Sequence, residues 1–255
     1  MRVNAAKRAC RMLIINADDW GYDSLTTNRV LSCVERGSIS SVSAMVFMED
    51  SERASALARD RGIDAGLHLN LDTPFSNVPV TSNLAEHQAK LARFLHNPFS
   101  RPFFHPGLVR SFEYVVSSQL VEYDRLYGTP PQRIDGHHHM HLAANVLFAG
   151  LLPLGTVLRP HFSREPGEKR IRNAMFRFYA KLMLARNHPT VDGLFALPPL
   201  EPKRLMRIFS WSRETTIELE THPTNPVEFE FLTGGALFRL LGDIPLSRHH
   251  LPIPA

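Results

Sequence analysis

Met12-Leu13-Ile14-Ile15-Asn16-Ala17-Asp18-Asp19-Trp20-Gly21 sets a short apolar run against two adjacent carboxylates. Consecutive apolar residues cut off by polar ones read as a strand buried on both faces, as in parallel sheets. The carboxylates then fall just past the strand. Asp also favours turns and helix caps, so the pair alone decides no chemistry. In a functional reading one carboxylate serves a metal and the other a water. Neighbouring strand side chains diverge, so the two are not expected to meet one ion together.

Working outward, the pattern repeats. Strands are expected at Val42 to Phe47 and Ala65 to Leu71. Helices separate them: one capped by Ser24, running to Arg36 and closed by Gly37, and one from Ser51 to Arg61 meeting Gly62. Residues 72–106 are less regular, with a helix at Leu84 to Leu95 and otherwise a loop or lid. The histidines there, His87, His96 and His105, read as solvated. A helix at Leu108 to Leu126 and strands at Arg133 to His137 and Thr156 to Arg159 come next. Further helices are expected at Arg170 to Arg186, Pro202 to Ser210 and Phe231 to Leu241, and strands at Val191 to Ala196 and Thr215 to Glu220. This alternation predicts an α/β fold with a parallel sheet under helices, and about seven units suit a (β/α) barrel. The whole chain, 1–255, reads as one such domain carrying the 72–106 insertion.

Asp18, Asp19, His68, His137, Arg159 and His222 all fall at or just after expected strand ends. In barrels the C-terminal strand ends carry the chemistry. The densest of these sites is Asp135-Gly136-His137-His138-His139-Met140-His141. Neutral imidazole is the commonest metal ligand in proteins. Continued as a strand, the run would turn His137, His139 and His141 to one face and His138 to the other. Asp19, His68 and His137 together would form a site of two imidazoles and one carboxylate. Zn²⁺ accepts such a set with water, non-haem Fe(II) oxygenases use it, and Mg²⁺ prefers more oxygen. The residues leave hydrolase and oxygenase both open.

Composition narrows the class further. The chain has 255 residues, 44% hydrophobic and 21% charged, with a net charge of +4. These values are ordinary for a globular protein, and the core is large enough to need no disulfide. The basic stretch Arg164 to Arg186 reads as a solvated helix face, and nucleic acid is not an expected partner. Two cysteines, Cys10 and Cys33, form no zinc or redox spacing and suit a reducing compartment. The apolar run after the basic N-terminus is too short for a signal peptide or a membrane span, which points to a cytoplasmic protein.

Three segments carry a family resemblance. Asn16-Ala17-Asp18-Asp19-Trp20-Gly21, Gly66-Leu67-His68-Leu69-Asn70-Leu71 and Asp135 to His141 resemble the motifs of the YdjC/ChbG-like carbohydrate deacetylases in order and separation. Ile217-Glu218-Leu219-Glu220-Thr221-His222-Pro223 is similar to a fourth. The resemblance covers Leu13 to His222. It implies a (β/α) barrel related to polysaccharide deacetylases and removal of acetyl from N-acetylglucosamine units. It further implies a divalent metal, Zn or Mg, on Asp19, His68 and His137, with Asp18 as general base, Arg159 as an active-site arginine, and a homodimer. Departures are Trp20 for the usual Phe, Gly136 where Ser is common, and Leu142-Ala143-Ala144-Asn145 in place of an early Pro after the histidines. The tail, Arg248 to Ala255, also lacks the usual strand-like ending.

The chemistry needs an acid for the leaving amine, and His222 is the candidate. His139, His141 and Trp20 are read as support for the ligands or contacts to substrate. An acetylated sugar is the expected partner. Two other readings stand beside this one: an Fe(II) oxygenase on the same triad, which the lack of a jelly-roll strand pattern disfavours, and a sugar-binding protein without catalysis.

Overall fold

The structure, a computed structural model, describes residues 11–77, 80–97, 99–165, 184 and 187–249. The expected helix from Arg170 to Arg186, most of the basic stretch and the end of the tail lie outside the described residues.

Seven strands form one sheet: β1 Met12–Trp20, β2 Ser41–Ala44, β3 Ala65–Leu69, β4 Arg133–Gly136, β5 Val157–Leu158, β6 Gly193–Ala196 and β7 Thr216–Thr221. Their order is β5-β4-β3-β2-β1-β7-β6, and every pair is parallel. This is the seven-stranded (β/α) architecture expected from the alternating pattern. β1 lies inside the sheet between β2 and β7, which explains why Leu13, Ile14, Ile15 and Ala17 are all buried. The two edge strands approach through the chain beyond β5. Ser163 N donates to Leu194 O in β6 at 2.8 Å, and Leu194 N donates back to Ser163 Oγ at 3.1 Å. At the opposite end Leu246 bridges Leu13, and Ser247 N donates to Leu13 O at 2.8 Å.

The helices pack outside. They are α1 Ser24–Glu35, α2 Ser51–Arg61, α3 Ser82–Leu95, α4 Val109–Tyr127, α5 Ala144–Phe148, α6 Pro202–Trp211, α7 Pro226–Thr233 and α8 Ala236–Leu241. The cap of α1 is Asp23, not Ser24: its Oδ1 accepts from Thr26 N at 2.7 Å. Gly62 ends α2 in the left-handed conformation, with φ 62°, which an L side chain resists. The single final helix expected from Phe231 to Leu241 is two helices. Gly234 and Gly235 break it, Gly235 with φ 81°, and a Cβ on Gly234 would meet Glu230 O at 2.7 Å. Among the described residues no helix is long and apolar enough to cross a membrane.

Within 72–106, α3 buries Leu84, Gln88, Leu91 and Leu95, the spacing of one helical face, and packs on α4. Gln88 ties the preceding loop to this helix: its Nε2 donates to Thr73 O at 2.7 Å and its Oε1 accepts from Phe75 N at 3.1 Å. The stretch after β3 is thereby fixed over the C-terminal ends of the strands.

Candidate metal centre

The Asp18–Asp19 pair is shaped by an irregularity in β1. Ala17 pairs with Val42 and Trp20 with Ala44, so β1 holds one residue more than β2 over this interval. Asp19 absorbs the extra residue at φ 65°, a left-handed conformation uncommon outside glycine. The bulge removes the alternation that would turn neighbouring side chains apart. Asp18 Oδ2 lies 3.9 Å and Asp19 Oδ1 3.4 Å from the same atom, His68 Nε2. The expected divergence of the two carboxylates is therefore corrected: both approach one point.

His68 comes from β3, where the register sets it directly beside Asp135 of β4. Asp135 Oδ1 accepts from His68 Nδ1 at 2.7 Å, which leaves Nε2 facing the two aspartates. Burial pulls the His68 imidazole down, but the charge of Asp18 and bonds to Asp135 and Asp19 outweigh it and hold it well above its ordinary value. Burial pushes Asp19 up, yet hydrogen bonds from His137 and His68 hold it well below the usual carboxylate range. Such a setting favours positive charge at this point, whether a proton or a cation.

The chain beyond β4 does not continue as a strand. His137 to Leu142 form a 3₁₀ turn in which His138 and His139 have φ 52° and 58°. The strand-like alternation expected for the four histidines is thus overturned, and each takes its own direction. His137 Nδ1 lies 3.1 Å from Asp19 Oδ1. His138 turns to the mouth, its Nδ1 on Asp72 Oδ2 at 2.7 Å. His139 Nε2 lies 3.3 Å from Glu220 Oε2. His141 is fully buried, and its Nε2 donates to Arg159 O at 2.8 Å. Burial, which disfavours the imidazolium, pushes His141 down to about 3.

Beneath the centre lies a buried charge network. Arg159 donates to both oxygens of Asp18, at 2.7 Å each, to Glu218 Oε1 at 2.8 Å and to Glu220 Oε2 at 3.1 Å. Asp135 Oδ2 accepts from Ser43 Oγ at 2.5 Å and from Arg133 at 3.0 Å. Burial works against the Arg159 charge, but Asp135, Asp18 and Glu218 hold the guanidinium well above its usual value. Burial raises the Glu218 carboxyl, and Arg159 and Arg133 offset it only in part. Glu220 is pulled down to about 2 against the effect of burial, chiefly by His139. His222, with its side chain 40% exposed, places Nε2 3.9 Å from Asp18 Oδ2.

Most of the residues singled out in the sequence meet here. Asp19, His68 and His137 offer donor atoms within 4.8 Å of one another, and Asp18, Glu220 and His222 do the same beside them. Arg159 and His141 are buried beneath the site. Trp20 is corrected: it is fully buried, with Nε1 donating to Ala54 O at 3.2 Å, so it belongs to the packing of α2. The sequence reading passed over Asp135, Glu218, Glu220 and Ser43. A signal existed in the period-two placement of charged residues, Glu218 and Glu220 in β7 and Arg133 and Asp135 in β4, inside otherwise apolar strands.

Comparison with known proteins places the chain among relatives. A match to the YdjC-like protein family spans residues 12–238. Curated relatives include a chitooligosaccharide deacetylase of Serratia marcescens, 31% identical over 53% of this chain and 53% of that one. A carbohydrate deacetylase of Mus musculus is 30% identical over 62% of this chain and 51% of that one. The chain spans about half the length of the curated relatives it matches. An Enterococcus faecalis structure named for cellobiose-phosphate cleavage shares the fold, with TM-score 0.65 at 17% identity over 93% of this chain and 97% of that one. The chain belongs to the YdjC-like protein family.

Proposed function

We propose that this YdjC-like chain is a metal-dependent amide hydrolase that removes the N-acetyl group of an N-acetylglucosamine-containing sugar or glycoconjugate. One observation carries the reading: Asp19 Oδ1, His68 Nε2 and His137 Nδ1 converge from three strand ends. The two curated relatives, named as deacetylases of sugars, support the substrate class.

The donor set fits a divalent ion. His68 has its far nitrogen anchored by Asp135, as metal-binding imidazoles usually do. Two imidazoles and a carboxylate suit Zn²⁺, whereas Mg²⁺ takes mainly oxygen. A cation held there supplies Lewis-acid polarisation of the acetamide carbonyl and a more acidic water.

The chain's own residues supply the proton transfers. Asp18 is oriented by the two-pronged contact with Arg159, and its Oδ2 faces His68 Nε2 and the centre. That position suits a general base for the attacking water. The leaving amine needs a proton, because an amide anion is too basic to depart. His222 sits at the open side with its Nε2 near Asp18, where it can deliver that proton.

Acetate release from N-acetylated chitooligosaccharides tests the reading. Activity is expected to vanish on chelation and to return on adding Zn²⁺ or another divalent ion. Equal activity in thoroughly demetallated protein overturns it.

A further inference from the structure

His222 follows the last residue of β7, and its side chain is 40% exposed. Packing alone does not lock a ring that open, so its direction depends on how firmly its backbone is held. Both backbone polar groups of His222 are bonded. Its N–H donates to Glu228 Oε2 at 3.0 Å, and its carbonyl accepts from Asn225 N at 2.9 Å. The same Glu228 oxygen accepts from Thr221 Oγ1 at 2.6 Å. One carboxylate oxygen therefore grips the residue that ends β7 and the residue that carries the ring.

Glu228 lies in the first turn of α7, which Asn225 caps, and it is only 3% exposed. A Glu in the first turn commonly reaches back to the N–H of the cap residue of its own helix. Here Asn225 N is taken by His222 O, and Glu228 reaches further, to the end of the strand. A buried carboxylate is costly unless hydrogen bonds compensate it, and these two bonds hold the segment bearing His222. Arg29 of α1 fastens the same turn from the neighbouring helix. Its guanidinium donates to Thr224 O at 2.6 Å and lies 5.3 Å from the centre of the Phe229 ring.

We propose that Glu228 is a positioning residue for His222: through the His222 N–H and the Thr221 hydroxyl it holds the imidazole where it can protonate the departing amine. The proposal rests on the deacetylase reading. In that step the proton passes from the His222 imidazolium to the sugar nitrogen, which keeps the electron pair of the breaking C–N bond.

Turnover of N,N′-diacetylchitobiose by metal-loaded protein provides the first test. Glu228→Met keeps the volume but removes both acceptor oxygens. It is expected to lower kcat by about tenfold to a hundredfold, a part of what a general acid contributes, with KM and bound metal little changed. Glu228→Gln retains an oxygen that can accept from both donors, and it is expected to recover most of that loss. Thr221→Val removes one donor without changing the shape and is expected to lower kcat several-fold; it decides the matter should Glu228→Met not fold. In a His222→Ala background neither change is expected to cost anything further, because residues that act as one unit are not additive. Unchanged kcat in the single variants, or the same loss repeated in the His222→Ala background, overturns the positioning role. The His222 Cε1–H resonance of Zn²⁺-loaded protein, identified by its disappearance in His222→Ala, reads the hold without turnover. It is expected to shift or broaden in Glu228→Met and Thr221→Val and to return in Glu228→Gln; an unmoved resonance overturns the hold. Wild-type protein that releases no acetate overturns the deacetylase reading, and the resonance still judges the grip of Glu228 on His222.

Discussion

Asp135 Oδ1 and His68 Nδ1 lie 2.7 Å apart on adjacent strands whose register pairs the two residues. The contact sets the tautomer and the ring plane of His68 at once. It also raises the basicity of Nε2, the atom that faces Asp19. Replacing Asp135 by Asn should therefore lower metal affinity by about tenfold to a hundredfold, as loss of such orienting partners does. Competition with a chelator of known affinity measures this, and unchanged affinity would show that the ring is held by packing alone.

Asp18 and Asp19 approach the same nitrogen but are expected to do different work. Asp18→Asn should reduce acetate release by about 10²–10⁴-fold, the usual contribution of a general base, while the metal stays bound. Metal content of the purified variant distinguishes the two roles. Loss of the metal together with turnover would refute the division of labour within the pair.

Arg159 is fully enclosed and is shared among Asp18, Glu218 and Glu220. Removing one member of a buried ion network strands the others. Arg159→Met is expected to cost about 3–5 kcal/mol of stability, because uncompensated carboxylates remain in the interior. Denaturant unfolding checks this. A smaller loss would mean that the carboxylates protonate readily, as Glu218 is already inclined to do.

Gly136 stands where the resembling sequences commonly carry Ser. Here a Cβ at that position would meet His141 N at 2.8 Å and His141 Nδ1 at 2.9 Å. His141 N belongs to the backbone of the turn and cannot simply rotate away. Gly136→Ser is expected to destabilise the protein by about 1–3 kcal/mol, the usual cost of overpacking. A melting temperature equal to the wild type would show that the turn yields instead.

His141 is buried neutral, down at about 3 from an ordinary value of 6.5. Between these values the unfolded chain binds a proton that the folded chain does not. Stability therefore falls as pH drops below about 6.5, by about 1.4 kcal/mol per pH unit from this group. His68, held well above its ordinary value in the metal-free protein, acts in the opposite sense near pH 6.5 and adds little slope once the unfolded chain is protonated there too. Unfolding of metal-free protein at pH 6.5 and 5 is expected to be less pH-dependent in His141→Gln than in the wild type. Equal slopes would place the acid sensitivity elsewhere.

The buried strands and the three ligand candidates are written in the chain itself. Met12 to Ile15, Ala65 to Leu69 and Arg133 to Gly136 are buried runs, and a parallel barrel gathers the residues just past them at one end. That placement depends only on periodicity and on strand ends, so Asp19, His68 and His137 are legible without knowledge of any contact. α2 is equally plain, because Gly62 marks its end in a left-handed cap.

The directions these residues face belong to the folded state. A bulge in β1 and positive φ at Asp19, His138 and His139 are set by tertiary packing, and no local pattern announces them. They bring Asp18 and Asp19 to one atom and scatter the four histidines to four different partners. Trp20 goes the other way, into the core, since the residue after the bulge resumes the buried face. The pairing of Asp135 with His68 depends on strand register over 67 residues of separation, a long-range fact that a single sequence does not hold. The candidate ligands can be named from the chain alone; their orientation comes from the register and the strained turns.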